Sequence, residues 1–279
     1  MQQNFNRATR FTFSMDGKTQ DFYWVLGKKT SPPLLLLHGY TGTHNDLLDV
    51  ADSLKEKYFV IVPDLPGWGK SPRFPANLSV ENYTLYLKSL LDSLRIHKIT
   101  LVGHCMGAAL SIELAYKYPN LAEKIILIST PYIKGAMSER VFLHLANITE
   151  HSPKKIRRLF FIWRSRLIVT PLSLYLIKVK SFRKKLRLMW HYIKIQPSQK
   201  EDTVEENFLS GIHYNYDKIK ELKIPIHIIH GYDDVIITRD EAIKFHQLIP
   251  SSTLEFIPHS GHMPPVETPQ SLATLILKY

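Results

Sequence analysis

A chain of 279 residues with 44% hydrophobic and 22% charged residues can bury a sizeable core, which excludes wholesale disorder. Its one cysteine, Cys105, excludes an internal disulfide framework and fits a reducing compartment, so a cytoplasmic location is expected. The formal charge of +11 is local: fourteen of the 36 Lys and Arg lie between His151 and Lys200, where there is no Asp or Glu, leaving 22 basic against 25 acidic residues elsewhere.

In chain order, Arg10 to Ser14 and Phe22 to Leu26 read as two strands joined at the Asp16-Gly17 turn signal. The N-terminal residues before them lack the apolar stretch and cleavage site of a secretory signal. Short apolar runs then alternate with helical patterns: Leu34 to Leu37, a helix over 45–57, Phe59 to Val62, a helix over 80–94, Ile99 to Gly103, a helix from Met106 to Tyr118, and Ile125 to Ser129. Runs with no polar alternation are the pattern of strands buried on both faces, and their alternation with helices predicts a mostly parallel sheet flanked by helices.

That rhythm breaks after Pro131 and resumes near Ile224. Pro225 to His230 reads as a strand, and Thr238 with Glu241 as the capping box of a helix through Leu248. Thr253 to Ile257 reads as the last strand and Ser271 to Tyr279 as a closing helix. The expected organisation is a catalytic core over 1–130 and 216–279, with a basic helical cap over 131–215 inserted after the sixth strand. The longest strongly apolar stretch, Leu167 to Ile177, is broken by Thr170, Pro171 and Ser173 and falls short of the roughly 20 residues of a bilayer span.

The central chemical signal is Gly103-His104-Cys105-Met106-Gly107, in which a strand runs into a helix through Gly-x-Cys-x-Gly. A nucleophile on so sharp a turn needs small residues two before and two after it, because bulk there would collide. The helix beginning at Met106 points its positive end at Cys105 and favours the reactive thiolate. In this context Cys105 reads as a nucleophile and not as the buried small hydrophobe that a single cysteine usually is.

At these residues the chain resembles the α/β-hydrolase superfamily, with cysteine where the family usually has serine. Further segments agree: His38-Gly39-Tyr40 after the third strand, Asp64-Leu65-Pro66-Gly67-Trp68-Gly69-Lys70-Ser71 after the fourth, Gly231-Tyr232-Asp233-Asp234 after the penultimate strand, and Ser260-Gly261-His262 after the last. The resemblance implies an α/β-hydrolase fold and a Cys105, Asp234, His262 catalytic triad in the chain order expected for it. It selects Asp234 over the neighbouring Asp233, and it places the backbone N–H groups of Tyr40 and Met106 in the oxyanion hole. His38 is expected to support that loop through hydrogen bonds, His104 to pack in the box, His259 to be a loop residue and Asp64 to fix its own loop.

No metal and no cofactor are expected, since His259 and His262 have no Cys or carboxylate companions completing a zinc site. The absence of aspartate at the elbow disfavours dehalogenase and epoxide hydrolase chemistry. Cysteine boxes of this kind occur in dienelactone hydrolases and polyhydroxyalkanoate synthases, but Ala108 stands where both usually carry a further glycine. The reading that follows is a hydrolase of carboxylic ester or thioester bonds working through an acyl-enzyme. Two alternatives stay open: an acyltransferase passing the acyl group from the Cys105 thioester to an alcohol, amine or thiol, and a catalytically impaired ligand-binding scaffold.

In the cap, Ile156, Leu159, Phe160, Trp163 and Leu167 recur at helical spacing, as do Phe182, Leu186, Met189, Trp190 and Ile193, with Lys and Arg largely on other faces. These stripes are expected to pack on the core and line a pocket for an apolar small-molecule acyl substrate. The competing reading is an amphipathic surface in peripheral contact with anionic membrane. Nucleic acid is not expected as a partner, because no recognised reading module accompanies the charge.

Overall fold

The structure, a computed structural model, describes residues 9–14, 21–73, 77–132 and 214–279, together with the isolated positions 147, 151 and 153. The basic cap expected over 131–215, with both its apolar stripes, and the Asp16-Gly17 turn lie almost wholly outside the described residues.

Eight strands form one sheet: β1 Thr9–Phe13, β2 Asp21–Leu26, β3 Pro33–Leu37, β4 Phe59–Pro63, β5 Ile99–His104, β6 Ala122–Ile128, β7 Ile226–Gly231 and β8 Thr253–Ile257. Their order across the sheet is β1-β2-β4-β3-β5-β6-β7-β8. Only β2 runs against the rest, pairing antiparallel with β1 and β4.

The apolar runs explain the layers. Leu35, Leu37, Ile61, Leu101, Ile125, Leu127 and Ile228 join one core, and the intervening Leu34, Leu36, Val60, Val62, Val102, Ile126, Ile128 and Ile229 join another. Since successive side chains in a strand point to opposite faces, both faces need a cover of helices. Helices α2 Val80–Ser93, α3 Met106–Lys117 and α4 Arg239–Gln247 contribute to the first core, and α1 Leu48–Leu54 and α6 Pro269–Lys278 to the second. Each leucine from Leu34 to Leu37 is fully buried, so truncating one to alanine should cost about 2–5 kcal/mol.

Local chemistry moves several boundaries from their expected places. Thr43 and Asp46 cap each other's backbone and close a 3-10 turn over His44–Asp46, so the helix expected over 45–57 is only α1. β6 starts at Ala122, three residues before its apolar run, because Ala122 and the polar Lys124 still pair with β5, the register shifting past Glu123. Pro264 and Pro265, ahead of the closing helix expected from Ser271, open a short helix α5, Pro264–Glu267, in whose first turn their missing N–H groups cost nothing. The Thr238–Glu241 capping box forms as expected at α4.

The order β4-β3-β5 positions the site. From β3 the chain crosses to β4 on one side, then passes through α2 to β5 on the other. At such a switch point the connections diverge and open a crevice beyond the carboxyl ends of the strands, here above β3 and β5. Among the described residues no helix is long and apolar enough to cross a membrane.

Candidate active site

Cys105 stands between the end of β5 and the start of α3 with φ 51 and ψ −112, a left-side conformation that side chains other than glycine avoid. Its N–H donates to the Ile128 carbonyl at 2.9 Å, and its own carbonyl accepts from Ala108 N at 2.9 Å, so the turn is pinned on both sides. The flanking glycines are steric necessities: a Cβ on Gly103 would lie 2.1 Å from the Gly107 carbonyl oxygen, and one on Gly107 2.6 Å from that of Leu37. The strained turn presents a partly exposed thiol at the mouth of the crevice.

Two loops from the far side of the sheet meet it. A Cβ on Gly231 would sit 2.0 Å from the Gly261 carbonyl oxygen, so the turn carrying Asp234 and the loop carrying His262 touch through bare backbone. His262 Nδ1 lies 2.9 Å from Asp234 Oδ2. With Nδ1 engaged, Nε2 is the ring nitrogen left to face the Cys105 side chain, which is near enough to raise the imidazole pKa. Imidazole and carboxylate are thus bonded to each other, with the sulfur beside the imidazole.

Burial disfavours a charged His262, but the Asp234 carboxylate with its hydrogen bond, and after it the neighbouring Cys105, outweigh it and hold the imidazole pKa well above the ordinary histidine value. Burial likewise opposes a charged Asp234, yet His262 and the backbone N–H of Ile237 hold its carboxyl below the usual range. Asp234 Oδ1 accepts from Ile236 N at 2.9 Å and Ile237 N at 3.0 Å, leaving Oδ2 to face His262. Asp233 instead gives its backbone N–H to the Ser260 carbonyl at 2.8 Å, helping to hold the two loops together.

The expected oxyanion residues border the same point. A Cβ on Gly39 would lie 3.0 Å from Cys105 Cβ, so the His38-Gly39-Tyr40 loop passes against Cys105. Met106 opens α3 directly after Cys105. His38 is buried, and its ring lies 2.9 Å from the Gly39 carbonyl through Nδ1 and 3.1 Å from Leu65 N through Nε2. This requires the tautomer with hydrogen on Nδ1, which burial favours by lowering the pKa. Asp64 accepts from His44 N at 2.8 Å and Lys70 N at 2.9 Å, and its Oδ1 also meets His44 Nδ1 at 2.8 Å, so it ties its own loop to the turn after β3.

Sequence reasoning missed two residues here. His104 does more than pack: its Nε2 donates to the His262 carbonyl at 2.7 Å, and burial, followed by the charge of His262, lowers its pKa to about 4. Glu267, also buried, accepts from Gly261 N at 2.7 Å and Met263 N at 3.0 Å, gripping the backbone on both sides of His262. A carboxylate five residues after the histidine, next to a proline-started turn, is the signal that marks it. His259 is a positive-φ loop residue, φ 58. Among the described residues no group of three or more His, Cys, Asp or Glu is arranged to hold a metal ion.

Residues 32–269 match the family model described as the alpha/beta hydrolase fold. The chain belongs to that family. It is 28% identical to Lipase 3 of Moraxella sp. over 250 residues, covering 88% of this chain and 76% of the relative. It is 25% identical to an uncharacterized hydrolase of Bacillus subtilis, covering 96% of each. Among solved structures, a thermophilic esterase from Thermogutta terrifontis superposes with a TM-score of 0.76 at 23% identity over 97% of each chain, a likeness of fold.

Proposed function

We propose that this family member is an esterase-like hydrolase that cleaves carboxylic ester or thioester bonds through a covalent acyl-enzyme on Cys105. The single observation that carries the proposal is the His262 ring bonded to Asp234 and set beside Cys105, a cysteine held in a strained strand-to-helix turn. Similarity to lipases of Moraxella and Psychrobacter supports esters as the substrate class.

In this mechanism His262 Nε2 takes the thiol proton as sulfur attacks the acyl carbonyl carbon. The oxyanion of the tetrahedral intermediate accepts from the backbone N–H of Met106 and Tyr40. Collapse breaks the bond to the alcohol or thiol, which leaves with the proton from His262. Water then attacks the Cys105 thioester with His262 as base, releasing the acid and returning the proton to sulfur. Asp234 keeps Nε2 aimed at sulfur and stabilises the imidazolium.

Sulfur at the nucleophile position supports a second reading, since a thioester is also resolved by amines, thiols and alcohols, which would make the same site an acyltransferase. Incubation with a short activated ester, following product release and intact mass, tests both. Sustained turnover lost in Cys105→Ala supports hydrolysis. A persistent acyl adduct discharged by an added nucleophile supports transfer, and neither turnover nor adduct across acyl lengths refutes both.

The fourteen basic residues between His151 and Lys200 support a further proposal, peripheral contact of this segment with anionic lipid. Sedimentation with anionic vesicles should weaken with salt and on joint neutralisation of Arg183, Lys184, Lys185 and Arg187. Unchanged sedimentation removes the idea.

A further inference from the structure

Beside the nucleophile the fold leaves buried hydroxyls with no partner. Tyr216 opens the 3-10 turn Tyr216–Glu221, by which the chain re-enters the core before β7. Its ring meets Tyr132, Tyr214 and Phe245 edge-on, with centroids 6.2, 4.8 and 6.2 Å away. Three such neighbours fix where the phenol oxygen lies. Tyr132 lies in the stretch leaving β6, four residues beyond Ile128, whose carbonyl accepts the Cys105 N–H.

Tyr216 is 7% exposed, and its hydroxyl makes no hydrogen bond. In the stretch leaving β6, Ser129 and Thr130 are also buried, with Ser129 Oγ and Thr130 Oγ1 unpartnered. Ser129 has φ 46, a second positive-φ side chain next to the elbow. The fold does satisfy other phenols: Tyr214 donates to Glu113 at 3.2 Å and Tyr83 to the Pro66 carbonyl at 2.9 Å. An unmade hydrogen bond on a buried hydroxyl costs about 1–3 kcal/mol, so hydroxyls left without partners beside a nucleophile call for an external one. Burial, and after it the charge of Cys105, hold the Tyr216 phenol well above its ordinary range, so it stays a protonated donor within electrostatic reach of the sulfur.

We propose that Tyr216, together with Ser129 and Thr130, forms a subsite beside Cys105 that hydrogen-bonds an oxygen on the acyl chain of the substrate. The acyl group taken is then a hydroxy-, oxo- or alkoxy-acyl group with its oxygen close to the reacting carbonyl, in preference to a plain hydrocarbon chain. The carbonyl oxygen itself is assigned to Met106 and Tyr40, so the subsite serves a different oxygen. The inference rests on the reading of Cys105 as nucleophile.

The test compares two para-nitrophenyl esters of equal chain length, pentanoate and a methoxypropanoate with its ether oxygen at the β carbon, on the full chain and on Tyr216→Phe, Thr130→Val and Cys105→Ala. The expected result is a higher kcat/KM for the ether ester in the unmodified protein, with the ether-to-pentanoate ratio falling roughly tenfold in Tyr216→Phe and less in Thr130→Val. A ratio unchanged in both variants, while Cys105→Ala is inactive, overturns the subsite and leaves the nucleophile standing. Turnover retained by Cys105→Ala overturns the nucleophile reading and the subsite with it.

Discussion

The two halves of the site are built by different means. The Cys105 turn is local: one strand, one helix and two glycines force Cys105 outward, and nearly every contact that does so lies within five residues or on a neighbouring strand. The relay half is assembled from afar, with Asp234 and His262 on separate loops joined by bare backbone, by His104 from the elbow and by Glu267 from α5. Local sterics make the first half rigid. The second half depends on buried hydrogen bonds whose strength can be tuned, and loss of one of these should weaken catalysis without destroying the fold.

The comparison breaks most visibly at the reacting groups. Cys105→Ala should remove ester turnover by roughly 10⁴-fold or more, read as initial rates with an activated ester. Asp234→Asn should lower kcat by about 10²–10⁴-fold by leaving His262 in the wrong tautomer, whereas Asp233→Asn should change it less than about threefold. Equal losses at the two positions would contradict the geometry at Oδ2.

If the elbow is purely steric, Gly103→Ala should destabilise the protein by about 3 kcal/mol or more in urea unfolding, since its methyl would overlap the Gly107 carbonyl. A variant as stable as the parent would show that the turn yields.

His104 provides a pH signature of the relay half. Its folded pKa is depressed to about 4, so the unfolded chain takes up the proton first as pH falls. The stability it contributes is therefore full above about 6.5 and is lost as pH falls toward 4, by an amount on the order of 3 kcal/mol. His104→Gln keeps a donor for the His262 carbonyl and should flatten the stability curve across that window. His262 has the opposite sign: its raised pKa contributes stability that is full below about 6.5 and lost as pH rises through the folded value.

Apart from the Asp233→Asn control, the smallest effect is expected at Glu267. Glu267→Gln should lower kcat about tenfold with KM nearly unchanged, because it loosens the backbone around His262 and touches no substrate. A change confined to KM would move Glu267 out of the positioning role assigned to it.

Much of the fold was legible because the central strands are buried on both faces and therefore appear as uninterrupted apolar runs, as in Leu34 to Leu37. Boundaries failed where polar residues stay in regular structure, as at Glu123-Lys124 in β6, or where prolines start a helix, as at Pro264-Pro265. The Cys105 elbow, the Asp234 turn and the His262 loop each have a local pattern, so their residues could be named. His104 and Glu267 were missed as partners of the His262 loop because their bonds are made to backbone atoms, which leave no mark on residue identity.

By itself the sequence named the candidate side chains for chemistry and determined the alternation that brings strands into one mostly parallel sheet, because periodicity and turn sterics act over a few residues. Only the tertiary structure decided that His104 and Glu267 hold the His262 loop, and that the Tyr216, Ser129 and Thr130 hydroxyls are buried without partners. Those outcomes depend on distances between atoms far apart in the chain, which closing the sheet sets and no local pattern encodes.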